Sequence, residues 1–99
     1  MSDWVRLVIA GTDNQPVSIR VLEDAWYQFG GYYHPGQREE ARMTIATAEL
    51  QDWLHNVDPP TGAYMLCVSA VDTGQVWARV RVRHSRAADL ATTHHRAVA

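Results

Sequence analysis

AYMLCVSAV (residues 63–71) and QVWARVRVR (residues 75–83) flank Asp72, Thr73 and Gly74, and the polarity of these two runs sets how they pair. Both are rich in β-branched and aromatic types, which suit a pleated, half-buried strand. With a three-residue loop closed by Gly74 in the left-handed conformation, Tyr64, Leu66, Val68 and Ala70 stand opposite Val82, Val80, Ala78 and Val76, and one face is wholly apolar. A two-residue loop sets Leu66 against Arg81 and Val68 against Arg79. A one-residue slip therefore brings arginine into the core, and the longer loop is expected. The opposite face then carries Trp77, Arg79, Arg81 and Arg83, with Cys67 between Met65 and Ser69.

Outward from this hairpin, residues 4–10 (WVRLVIA) alternate through Val5, Leu7 and Ile9, and residues 17–22 (VSIRVL) alternate through Val17, Ile19 and Val21. The turn composition GTDNQP lies between them, so a second hairpin is expected. Residues 41–46 (ARMTIA) place Met43 and Ile45 on one side and read as a middle strand. Thr47 reads as a helix N-cap with Glu49 in the first turn. Leu50, Trp53, Leu54 and Val57 follow at the spacing of one helical face, which predicts a helix over 48–56, closed by Asn56 and stopped by Pro59 and Pro60. Residues 22–34 (LEDAWYQFGGYYH) fit a short helical turn or an irregular strand, and HPGQ (34–37) a type II turn.

The whole reads as an α+β domain, an antiparallel sheet of about five strands with one main helix on its apolar face. Residues 1–85 are expected to form one compact domain and 86–99 a flexible or loosely helical tail. The alternative is an all-β sandwich. VDPPTGAYMLCVSAVDTG (residues 57–74) is similar to the last loop and penultimate strand of fibronectin type III-like and transthyretin-like domains, and that resemblance implies a sandwich. The stripe through Leu50 and Trp53 opposes it.

Ninety-nine residues make one domain that removes roughly 65% of its unfolded surface from water, enough for a modest core. Every basic side chain is arginine, and the net charge is −2. The arginines are uneven: residues 75–99 hold five of them and one acid, against four and ten in residues 1–74. A general nucleic-acid binder is basic throughout, so nucleic acid is a possible but not a favoured partner. The lone Cys67 allows no internal disulfide and fits a reducing, cytoplasmic setting. The apolar run in MSDWVRLVIAG follows Asp3 and is too short for a signal peptide or a membrane span, so the mature protein is expected to be the whole chain, with no membrane partner.

No phosphate loop, dinucleotide turn, zinc-type Cys and His spacing or GxSxG elbow is present. No catalytic, cofactor or metal residues are therefore assigned. His94 and His95 lack the rigid third ligand of a real metal centre. A small enzyme built on His34, His55 and an acid stands third among the functional classes, because a domain of this size has little room for both a deep pocket and a core.

The densest unusual composition is Trp26, Tyr27, Phe29, Tyr32, Tyr33 and His34, large amphipathic side chains of the kind that anchor interfaces. The expected function is surface binding of a protein partner, with Tyr32, Tyr33, His34 and Trp26 in contact and Asp13, Glu39 and Glu40 steering a basic partner. A strand followed by TAELQDWL (residues 47–54) and a closing hairpin looks like the layout of small bacterial immunity-type or inhibitor proteins, a resemblance that implies a cytoplasmic adaptor or inhibitor. The alternative is an anion- or nucleic-acid-binding module using Trp77, Arg79, Arg81 and Arg83, alternate residues that share one strand face at roughly 6.5–7 Å intervals. A homodimer is a further possibility, with the acids of one copy pairing this row on the other.

Overall fold

The structure, a computed structural model, describes residues 3–24 and 35–89. In chain order it runs β1 (Asp3–Ala10), β2 (Pro16–Asp24), α1 (Pro35–Val57), β3 (Gly62–Ala70) and β4 (Val76–His84). The four strands form one sheet in the order β2-β1-β3-β4, every neighbouring pair antiparallel. The α+β class and the single main helix follow the sequence reading, but among the described residues the sheet has four strands, not about five, and the sandwich alternative does not describe it.

The missing strand is helix. Residues 41–46 lie inside α1, which begins at Pro35 where a type II turn was expected. Thr47 is not an N-cap: its hydroxyl donates to the Met43 carbonyl one turn back at 2.8 Å, as Thr44 does to Glu40 at 3.0 Å. Thr44 and Ile45 carry a β preference of only about half a kcal/mol each, whereas packing one more turn of an apolar stripe outweighs it. Ala46, Leu50 and Leu54, four residues apart, are all buried, with Ile45 and Trp53 packed beside them. The helix ends at Val57, one residue later than expected. Asp58, not Asn56, takes the left-handed conformation (φ 48°), and its N–H donates to the Leu54 carbonyl at 2.9 Å.

Each hairpin contains a bulge, and the two act in opposite senses. In β3–β4 the loop has four residues, not three: Ala70 N–H donates to Gln75 O, Gly74 N–H donates to Ala70 O, and Gly74 supplies the positive φ of 72°. A four-residue loop alone would set Leu66 against Arg79. One extra residue on β4, between the pairs Ser69–Val76 and Val68–Ala78, restores Leu66–Val80 and Tyr64–Val82 as expected. Val76 loses its place opposite Ala70 and is exposed. Trp77, at the bulge, turns off the arginine face and packs against the core, where the Arg42 guanidinium of α1 lies 4.7 Å from its ring centroid.

In β1–β2 the loop is the three-residue kind: Asn14 N–H donates to Gly11 O, and Asn14 has φ 62°. Continued without interruption, that turn would pair Leu7 with Ile19 and Val5 with Val21. An extra residue between Ala10–Pro16 and Ile9–Ser18 shifts β2 by one, so Leu7 meets Arg20 and Val5 meets Leu22. Ile19 and Val21 thereby turn away from the helix.

The core lies between α1 and the inner sheet face: Val5, Leu7, Ile9, Leu66, Val68, Ala78 and Val80 against Ala46, Leu50 and Leu54. The helix rests mainly on β3 and β4. Of the β2 side chains, Arg20 reaches it, pairing with Glu49 at 3.2 Å. No described helix is long and apolar enough to cross a membrane.

At the far end of β4, His84 donates from Nε2 to Asp58 Oδ1 at 2.8 Å and meets the Tyr64 ring edge-on. Tyr64 donates its hydroxyl to Pro60 O at 2.6 Å. The chain beyond β4 is tied here as well, through Arg86 N–H to Thr61 Oγ1 at 2.9 Å and Thr61 to Asp89 at 2.6 Å. The Asp58 carboxyl is held below its usual range chiefly by the His84 hydrogen bond, against the opposing effect of burial, with Ala87 N–H assisting. A depressed carboxyl stabilises the fold above its unfolded pKa of about 3.9, and the contribution is lost as pH falls through the lower folded value. Wild type should therefore exceed Asp58→Asn in denaturant midpoint at about pH 6 and converge with it below about pH 3. A gap that stays constant over that range would show that the carboxylate charge plays no part in this fastening.

Candidate functional site

Two faces of one sheet have unlike fates here. The inner face is covered by α1, mainly over β3 and β4; the outer face has no layer over it among the described residues. Because strand side chains alternate, the outer face of β1 presents Trp4, Arg6 and Val8, and that of β2 presents Ile19, Val21 and Glu23. Val17, at the bulge, is exposed beside them. From β3 come Met65, Cys67 and Ser69, and from β4 come Arg79, Arg81 and Arg83.

Registers place these side chains in rows across the sheet. Ile19, Val8, Cys67 and Arg79 are successive cross-strand partners, so one row passes from aliphatic to guanidinium across four strands, about 14 Å at the usual strand spacing. The next row holds Val21, Arg6 and Ser69, and Met65 stands opposite Arg81. The surface is thus apolar along the β2 edge and basic along the β4 edge. Val17, Ile19, Val21 and Trp4 are 52%, 62%, 51% and 49% exposed, values that leave large apolar groups half in water with neighbours of the same kind.

The charge on this face differs from that of the chain. The protein carries net −2, yet Arg6, Arg79, Arg81 and Arg83 share the outer face with one strand acid, Glu23. None of the four arginines pairs with a described carboxylate; the ion pairs between described residues are Arg20–Glu49 on the inner side and His84–Asp58 at the end of β4. Guanidinium groups without internal partners keep their fork geometry for an outside carboxylate or phosphate.

The expected contact residues fare differently. Trp26, Tyr32, Tyr33 and His34 lie outside the described residues. Glu39 and Glu40 are exposed on the first turns of α1, not in a loop. Asp13 is exposed in the β1–β2 turn, where its carboxylate accepts Gln15 N–H at 3.1 Å. That turn adjoins Tyr64, which contacts Trp53 near the far end of the helix. Thirteen residues of helix separate Trp53 from Glu40, about 20 Å, so Asp13 and the two glutamates do not form one steering patch. Arg79, Arg81 and Arg83 are exposed on one face as expected, whereas Trp77 is on the other side. His55 is exposed on α1. A shallow open depression on α1, lined by Glu40, Met43, Thr44, Thr47, Ala48 and Gln51, brings one titratable group, not two. No cluster of three metal-ligating side chains occurs among the described residues.

Sequence reasoning missed Trp4, Val8, Val17, Ile19 and Val21 as surface residues. A signal existed: four strands with one apolar set each exceed what one helix can cover. A helix is about 10 Å across, roughly two strand spacings, so a strand at the sheet edge is left beyond it. Comparison of the chain with protein-family models, with curated proteins and with solved structures found no match to any of them.

Proposed function

We propose that the protein is a binding module that acts by occupying a protein partner, with the outer sheet face as its contact surface. The observation that carries this reading is the exposed aliphatic group Val17, Ile19 and Val21 beside Trp4. Such a patch is unfavourable in water, and the unshifted register would turn Ile19 and Val21 to the helix side of the sheet. The bulge on β2 displays them on the outer face instead, which is how bulges re-aim residues at functional surfaces.

The test compares wild type with Ile19→Asp, a change at an exposed position that leaves the core untouched. Each protein is immobilised and exposed to lysate of the source cells. A polypeptide retained by wild type should be lost or weakened about tenfold or more by Ile19→Asp, with unchanged thermal melting. The same retained set with both proteins, or nothing retained by either, rejects the reading.

A further inference from the structure

The outer face has two chemistries in fixed order, and an occupant has to satisfy both. We infer that it is a polypeptide surface whose aliphatic patch is bordered on one side by a row of carboxylates, seated with the patch over Ile19, Val21, Val8 and Trp4 and the carboxylates along Arg79, Arg81 and Arg83. This rests on the reading of the outer face as the contact surface and adds the chemistry of the partner.

Charge complementarity is the first argument. Three arginines stand at roughly 6.5–7 Å intervals along β4, the repeat of alternate residues in an extended chain and close to one turn of a helix, so carboxylates on either kind of segment can meet them in series. Arg6 lies two strands away at the margin of the apolar half. With no described carboxylate engaged to any of the four, the counter-charge is left to the partner.

Shape of the apolar half decides between partner classes. Nucleic acid is held by stacking on aromatic rings beside the phosphate-binding cations. Here the bulge turns Trp77 to the helix side, and Trp4, the described aromatic on the outer face, belongs to β1, two strands from Arg79. Branched aliphatic side chains instead match aliphatic side chains. An anionic membrane surface suits cations ringed around an apolar patch, whereas these stand along one border. A second copy placed with its apolar half on this one would leave both arginine rows at the outer ends without counter-charge. The acidic, aliphatic polypeptide accounts for both halves.

The probe is a synthetic amphipathic peptide with leucines along one helical face and glutamates along one border, beside the same peptide with every Glu replaced by Gln. Binding is followed by fluorescence anisotropy to wild type, Arg79→Gln/Arg81→Gln and Ile19→Asp. The glutamate peptide should bind wild type, and affinity should fall about tenfold or more with the Gln peptide and with each variant. If Ile19→Asp weakens binding while the double arginine variant does not, the partner is not acidic and this inference falls, although the contact surface stands. If neither variant weakens it, both fall. No binding by wild type at about millimolar peptide overturns the acidic–aliphatic chemistry and leaves the lysate comparison to judge the surface. Tighter binding of a single-stranded oligonucleotide or of phosphatidylserine vesicles overturns it in favour of those classes. A dimer of wild type in sedimentation that becomes monomeric with Ile19→Asp overturns it in favour of a second copy.

Discussion

Leu50→Ala is expected to remove about 3 kcal/mol of stability, within the range for truncating a fully enclosed leucine. The side chain is 0% exposed at the middle of α1, amid the cluster that joins the helix to the sheet. Deleting it forfeits both the burial of the removed carbons and the contacts of the atoms left lining the hole. Domains of this size are stable by about 5–15 kcal/mol, so the loss is a large fraction of the total. At ~4–8 °C for each kcal/mol, the melting temperature should fall by roughly 12–24 °C. Urea denaturation with an unchanged slope checks it. Met43→Ala, an exposed position on the same helix, is the control and should stay within about 0.5 kcal/mol. A Leu50→Ala loss below about 1 kcal/mol would mean that α1 does not seat on the sheet.

The second large effect separates two isoleucines of one hairpin. Ile9 is 3% exposed on the inner side of β1, and Ile19 is 62% exposed on the outer side of β2. Ile9→Ala should cost about 2–4 kcal/mol, and Ile19→Ala no more than about 0.5–1 kcal/mol. Sequence alone treats the pair alike, since both stand on the apolar side of an alternating strand, Ile9 after Val5 and Leu7 and Ile19 between Val17 and Val21. The difference comes from the bulge that pairs Ile9 with Ser18 in place of Val17. Equal and large losses would place Ile19 inside, remove the exposed patch and withdraw the binding surface with it.

The binding surface is also where the sequence was hardest to read. Its basic half was legible, because Arg79, Arg81 and Arg83 cannot sit in a core and their alternation fixes their common face. The apolar half was not, since Val17, Ile19 and Val21 carry the signature of a buried strand and nothing within those residues marks the bulge. Trp77 was misplaced for the same reason: strict alternation puts it with the arginines, while one inserted residue puts it under Arg42. The strand expected over 41–46 failed differently. Thr44 and Ile45 were read by propensity, a weak preference, while Ala46, too small to attract notice as a core residue, extends the Leu50–Leu54 stripe back by a turn.

By itself the sequence determined the pairing of the last two strands from Tyr64–Val82 to Val68–Ala78, though not their loop, together with the existence of a helix through Leu50, Trp53 and Leu54 and the solvent side of the arginines. Each follows from a repeat of two or near 3.6 residues that sorts apolar from charged side chains, and exposing those apolar faces or burying those charges would cost more than local conformation can offset. Tertiary structure alone decided how far the helix extends, where the two bulges fall and which face of β2 looks outward. Those choices depend on what one helix of fixed width can cover, and coverage is a property of elements packed together that no single stretch of chain contains.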